Sequence, residues 1–274
     1  MSQKQKADAI GFPPPLMGEV PLRLPVLAEE DDWIALNKPS GLAVREYPWD
    51  GKRPNLDAAL NAQLQAGKPE LVRRGATLLG SMYYLDPEIS GVAVFGKSRE
   101  GLAALRNRFG SGDCAFSFLF VSGPKPEDVE ERVIADAPLL PHNTKPKMIP
   151  STAKGKKSFT EFSLKAQSAA GWTVWEARTQ FFRPHQVRAH AAVLGLPVLG
   201  DTLYDGPVAP TRRDLEPKKK GGGLNVSAFD GLALHLATCD LCNGVPAIEA
   251  ELPKHLGLFI QRLGLIPVID ASVD

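Results

Sequence analysis

One stretch, SMYYLDPEISGVAVFGKSREG from Ser81 to Gly101, constrains this chain more than any other. Its apolar run Val92–Phe95 alternates small and branched side chains and reads as a buried strand. Just before that run, Asp86 lies in a turn bounded by Pro87 and Gly91. A carboxylate beside a buried strand is costly unless a partner pairs with it or a reaction uses it. The competing reading is a turn-capping aspartate, because Asp is common in turns.

A second segment bears on the choice. It is ARTQFFRPHQVRAHAAVLGLPVLGDTLYDG, from Ala177 to Gly206. Residues 172–179 read as a strand. Pro184 suits the first turn of a helix, where a missing N–H does no harm. That helix is expected to run through His185, Arg188, Ala191 and Ala192 and to stop at Gly195-Leu196-Pro197. It opens with Arg183 and His185 and carries Arg188 on its second turn. A helix start flanked by arginines suits an anion, either phosphate or carboxylate. The alternative is a solvated basic face.

Together the two segments resemble the RluA-type pseudouridine synthases. That family carries His-Arg-Leu-Asp-x-x-Thr-Ser-Gly around its catalytic aspartate, which stands here as Tyr83-Tyr84-Leu85-Asp86-Pro87-Glu88-Ile89-Ser90-Gly91. Its Thr-Gly-Arg-Thr-His-Gln-Ile-Arg stands as Phe181-Phe182-Arg183-Pro184-His185-Gln186-Val187-Arg188. The continuation Gly-x-Pro-x-x-Gly-Asp-x-x-Tyr is kept from Gly195 to Tyr204. Upstream, Asn37-Lys38-Pro39 and Gly41-Leu42 match the opening hairpin. Strands resembling GKKSFTEFSL and LHLATCDL fall in the same order. Spaced motifs in order carry more weight than any one of them.

The departures are specific. Tyr83 and Tyr84 replace His-Arg, and the arginine lost at 84 is one that the family implies helps to extrude the target base. Ile89 replaces a threonine, and Phe181-Phe182 replaces Thr-Gly. In the Lys-x-Tyr strand of the family, Phe116 and Phe118 take the two positions. Phe118 keeps the stacking ring and loses the hydroxyl, a choice that another branch of pseudouridine synthases makes.

The resemblance implies an isomerase that converts uridine to pseudouridine in structured tRNA or rRNA. A C–N glycosidic bond breaks, the uracil rotates and a C–C bond forms. Asp86 is the implied nucleophile or base, ionised in a pocket that excludes water, with Arg188 as its charged partner. The target base must leave its stack to reach such a pocket. Phe118 is then the uracil platform, or else ordinary core packing. Tyr204 lines the pocket, or packs under the Gly200-Asp201 turn. Tyr84 replaces charge by stacking on RNA, and Arg183 and His185 complete the substrate-binding set. A non-catalytic RNA-binding descendant of the same fold is the alternative. The reaction requires no cofactor, and no P-loop, Gly-x-Gly-x-x-Gly or His-Glu-x-x-His motif is present.

Composition sets limits. Thirty-two Lys and Arg nearly balance 31 Asp and Glu, so RNA affinity must come from local clustering. The loop PHNTKPKMIPSTAKGKK carries Lys145, Lys147, Lys154, Lys156 and Lys157, and PVAPTRRDLEPKKKGGG carries Arg212, Arg213 and Lys218 to Lys220. Both read as flexible, and each either touches RNA backbone or merely solubilises. No apolar leader or membrane-length run appears, which favours the cytoplasm. Three cysteines argue against a disulfide framework. Cys239-Asp-Leu-Cys242 has metal or redox spacing, but no second ligand pair exists, so no metal is expected and core cysteines are.

The expected fold is α+β, a mixed and mostly antiparallel sheet with flanking helices and a central cleft. Residues 1–24 read as an extended arm and residues 25–274 as one catalytic domain. No N-terminal RNA-binding domain is expected, so specificity rests on the catalytic domain and its loops. A monomer is expected. Asn55 and Ser98 read as helix caps, with the helices ending at Gly67 and Gly110. Further strands are expected over 26–28, 33–36, 114–121, 157–166, 233–240 and 247–252, and a last helix over 253–263.

Overall fold

The computed structural model describes residues 8–47, 49–218 and 223–265. In chain order it begins with β1 (Ala9–Phe12), β2 (Leu22–Glu29) and β3 (Trp33–Lys38). Two helices follow, α1 (Leu56–Gln65) and α2 (Pro69–Val72), then β4 (Gly80–Ser81), β5 (Ser90–Gly96) and α3 (Arg99–Ser111). The middle holds β6 (Ala115–Ser122), β7 (Arg132–Ala135), β8 (Leu139–Pro141), β9 (Met148–Pro150), β10 (Thr160–Gln167) and β11 (Thr173–Thr179). Then come α4 (Gln186–Val193), α5 (Arg212–Leu215), β12 (Leu234–Asp240), β13 (Ile248–Glu249) and α6 (Lys254–Arg262). The chain is α+β, with a mixed, mostly antiparallel sheet.

The residues form two compact units. Of the described residues, unit 1 holds those within 8–116 and 236–251, and unit 2 those within 117–235 and 252–265. In unit 1, β1 pairs with β2, β2 with β3, and β3 with β5, all antiparallel. Every residue of β5 is buried, as its apolar run requires. Ile34 stands opposite Phe95 and Leu36 opposite Ala93, so two buried strands share one core. Gly91, second in β5, has φ +124°, and a Cβ there would lie 2.0 Å from the Leu236 carbonyl oxygen. Only glycine lets the backbones approach that closely.

The caps explain the helices of unit 1. Asn55 accepts from the Ala58 N–H, and Ser98 accepts from the Gly101 N–H. The second helix runs past Gly110 and ends at Gly112, whose left-handed φ of 81° closes it. The expected arm over 1–24 is not all arm. Ala9–Phe12 forms a strand, and Ile10, Phe12 and Leu24 are buried. Four residues between polar and proline-rich flanks carry too little periodicity to betray a strand. Residues 1–7 lie outside the described residues.

In unit 2, β11 pairs with β10 and β10 with β7, again antiparallel. Val121, Val174, Leu199, Phe229, Leu256 and Phe259 form its main core. The lysine loop after Pro138 is a hairpin rather than a featureless loop: β8 pairs with β9, and Met148 is buried with Leu139, Ala189 and Tyr204. The second basic loop contains α5, closed by a capping box between Thr211 and Asp214. Lys219 and Lys220 lie outside the described residues. The strand expected over 247–252 shrinks to Ile248–Glu249. No helix among the described residues is long and apolar enough to cross a membrane.

Candidate active site

Asp86 is 2% exposed and begins a tight turn in which the Ile89 N–H donates to its carbonyl at 3.1 Å. The segment Lys38–Gly41 staples that turn. The Pro87 carbonyl accepts from Lys38 Nζ at 3.0 Å and from the Gly41 N–H at 2.7 Å. Ser40 Oγ donates to the Glu88 carbonyl at 2.8 Å. Lys38 is fully buried, and its ammonium also donates to the carbonyls of Pro39 at 3.1 Å and Leu42 at 2.9 Å. Three N–H donors thus meet three carbonyl acceptors. Burial pushes this ammonium down to about 7, opposed by the nearby charges of Glu88 and Asp86. In sequence, the only signal at Lys38 is a lone lysine closing an apolar strand.

Tyr84 is 7% exposed, and its ring stacks on Tyr47 with centroids 6.4 Å apart. It therefore serves as a packed ring of unit 1 rather than a projecting one. Tyr83 is also buried, and its hydroxyl donates to the Val92 carbonyl at 2.9 Å. Asp57, in the first turn of α1, accepts from the Ser81 N–H at 2.8 Å and the Ser81 hydroxyl at 3.0 Å. Its carboxyl is raised by burial, against the pull of those bonds and of Arg45 and Arg106.

In unit 2 the helix after Pro184 departs from the sequence expectation. It begins at Gln186, with His185 as N-cap at φ 56° and no side-chain cap bond. Pro184 stays outside the helix, and Arg188 falls in its first turn. Arg188 is 4% exposed and forms a two-pronged pair with Asp201, Nε to Oδ2 at 2.6 Å and Nη2 to Oδ1 at 2.8 Å. Asp201 also accepts from the Leu203 N–H at 3.1 Å. In sequence this carboxylate stands in the Gly-Asp-x-x-Tyr run, and nothing local marks it as the partner of Arg188.

Tyr204 lies against the same group. The Arg188 guanidinium carbon sits 5.4 Å from its ring centre, and Lys147 Nζ reaches the ring at the same distance. The Tyr204 hydroxyl accepts from the Met148 N–H at 2.8 Å, donates to the Met148 carbonyl at 3.1 Å and meets His185 Nδ1 at 3.2 Å. So Arg188, His185, Asp201 and Tyr204 form one cluster that also holds the β8–β9 hairpin. Arg183 does not join it. Its Nε and Nη2 both donate to the Lys157 carbonyl at 3.1 Å. Phe118 is 1% exposed, with Phe182 edge-on at 5.2 Å, so its ring is a packed wall within unit 2.

Cys239 and Cys114 are buried as expected, but Cys242 is exposed and sits at φ 49°. The strand that buries Cys239 ends at Asp240, and Cys242 lies in the turn beyond it. Among the described residues, no three His, Cys, Asp or Glu side chains group as metal ligands.

No protein-family model matches the chain. An RNA pseudouridine synthase of Synechocystis, slr1592, is 30% identical over 223 residues, which cover 80% of this chain and 71% of that protein. The ribosomal large subunit pseudouridine synthase D of Xanthomonas campestris is 30% identical over 253 residues, covering 89% and 69%. The ribosomal large subunit pseudouridine synthase C of Escherichia coli is 27% identical over 241 residues, covering 87% and 69%. Among solved structures, human RNA pseudouridylate synthase domain containing 4 superposes with a TM-score of 0.64 at 17% identity, covering 88% of this chain and 94% of that one. Human RNA pseudouridylate synthase domain containing 1 follows with 0.57 at 18% identity. The solved structures speak for the fold.

Proposed function

This chain belongs to the RluA-type RNA pseudouridine synthases, and from that membership we propose that Asp86 is its catalytic carboxylate, that Arg188 is its charged partner and that large-subunit ribosomal RNA is its substrate. The enzyme is an isomerase acting on uridine in RNA. Uridine and pseudouridine have the same atoms. One glycosidic C–N bond breaks, one C–C bond forms, C5 gives up a proton and N1 gains one.

The observation that carries the assignment is the fixed turn. Lys38, Ser40 and Gly41 hold the two peptide units after Asp86, so its carboxylate starts from one backbone geometry. Such preorganisation is what a reacting group needs and a surface turn does not. On the other unit, Asp201 holds one edge of the Arg188 fork, which leaves that guanidinium with a set orientation. Phe118, packed edge-on against Phe182, supplies an apolar ring wall for the uracil, and Tyr204 and His185 bind the substrate as a hydrogen-bonded pair. Tyr84 and Arg183 act as supports, one beneath a ring and one tied to backbone. The ribosomal target follows the names of the D and C synthases it resembles. The protein works as a monomer in the cytoplasm.

The test is direct. A large-subunit ribosomal RNA transcript and, separately, unmodified tRNA transcripts are incubated with wild type, Asp86→Asn and Arg188→Met, then digested to nucleosides and resolved by chromatography with mass spectrometry. Pseudouridine is expected from the wild type alone. Equal product from Asp86→Asn removes the carboxylate from the chemistry, and product only on tRNA overturns the ribosomal assignment.

A further inference from the structure

Unit 1 carries a chain of rings that the reaction itself does not use. Tyr84 stacks on Tyr47, with planes only 16° apart, and Tyr47 takes Trp49 edge-on at 5.5 Å. Tyr84 is buried, whereas Tyr47 and Trp49 are half-buried. Arg53 latches the assembly: its guanidinium carbon lies 5.7 Å from the Tyr47 ring centre, and Nη2 donates to the Gly41 carbonyl at 3.0 Å. Gly41 is the residue whose N–H holds the Pro87 carbonyl, so rings and catalytic turn share one anchor.

We propose that Trp49, buttressed by Tyr47 and Tyr84, is a stacking platform for an unpaired nucleobase beside the target uridine. This rests on the reading of Asp86 as the catalytic carboxylate. Three observations point to a nucleobase. Two aromatic side chains keep part of their surface in water on a loop, where an aromatic ring gains most by covering a flat partner. On the loop segment 45–53, Arg53 is paired with Glu88 at 3.7 Å, and Lys52 is exposed, a cation that suits a phosphate-linked partner. The chain of rings starts at the catalytic turn: Tyr84 is two residues before Asp86, and Tyr47 and Trp49 follow at ring-centre steps of 6.4 Å and 5.5 Å, so the platform lies a few nucleotide steps of about 3.4 Å from the carboxylate. Single-stranded RNA with splayed bases is the form that reaches such a platform.

Binding is measured with a fluorescent uridine-containing RNA of about twelve nucleotides, within the span one such site covers. A second set carries one abasic nucleotide, moved along the strand. Asp86→Asn serves as the background, so that no product forms. On that background Trp49→Ala and Tyr47→Ala should weaken binding about ten-fold, while Trp49→Phe and Tyr47→Phe, which keep the rings, stay within about two-fold. The abasic substitution should weaken binding at one position only, and Trp49→Ala should erase that dependence. Equal affinities for all variants, or an abasic profile unchanged in Trp49→Ala, overturn the platform. The two readings fail separately. If wild type makes pseudouridine and Trp49→Ala binds and turns over like wild type, only the platform falls. If neither wild type nor Asp86→Asn makes product but binding depends on Trp49, only the catalytic reading falls.

Discussion

Buried charges set the behaviour of single residues here. Arg188 and Asp201 are both removed from water, so each depends on the other. Asp201→Asn leaves the guanidinium with a weaker, one-pronged partner. We expect a loss of about 3–5 kcal/mol in unfolding free energy, and turnover reduced about 100-fold through misplacement of Arg188. RNA affinity should hold; an equal fall in affinity and turnover would reduce Asp201 to a structural role. Lys38 gives a pH signature. Its ammonium is held down to about 7 by burial, against 10.5 in the unfolded chain, so the unfolded state binds the proton more tightly. Between those values wild type should gain stability over Lys38→Met as pH rises, by up to about 1.4 kcal/mol per unit. Urea unfolding of both proteins at pH 7, 8 and 9 checks this, and a difference flat with pH refutes it. Asp86 and Arg188 were legible as motif positions. The partners Lys38 and Asp201 were not assigned, because a hydrogen bond across 49 or 13 positions leaves no local pattern.

At the scale of elements, strand β5 is the clearest case of sequence and structure agreeing. Its unbroken burial was readable from Val92–Phe95. What the run did not reveal is why Gly91 precedes it. The carbonyl of Leu236 occupies the place of any Cβ, and the backbone there has φ +124°. Gly91→Ala should therefore cost more than about 3 kcal/mol, seen as a lowered thermal midpoint and as loss of soluble protein. A midpoint within a few degrees of wild type would show that the strands can part. Helix caps at Asn55 and Ser98 were read correctly from local chemistry, since a cap bonds only three residues away. The start of α4 was misplaced by two residues. Proline is welcome in a first helical turn, but His185 in the left-handed region breaks the run between them.

For the molecule as a whole, a net charge of +1 leaves RNA attraction to its loops. Lys145, Lys154, Lys156 and Lys157 are exposed on and after the β8–β9 hairpin, whereas Lys147 is committed to the Leu203 carbonyl. Replacing the four exposed lysines by glutamine should lower the slope of log affinity against log salt by about 0.7 for each phosphate lost on single-stranded RNA. Lys147→Gln should leave the slope nearly unchanged. Anisotropy in a potassium chloride series decides it; identical slopes would make these lysines mere solubilising charges. The hairpin inside the lysine loop was not foreseen. Taken alone, the order of residues determined the family, the α+β class, the buried strand and the two capped helices, because each rests on spacing within a few positions. Tertiary structure decided which carboxylate holds Arg188, that Lys38 staples the Asp86 turn, and that Tyr84 stacks on Tyr47. Those choices turn on desolvation and on backbones meeting from distant parts of the chain, and neither quantity exists until the chain has folded.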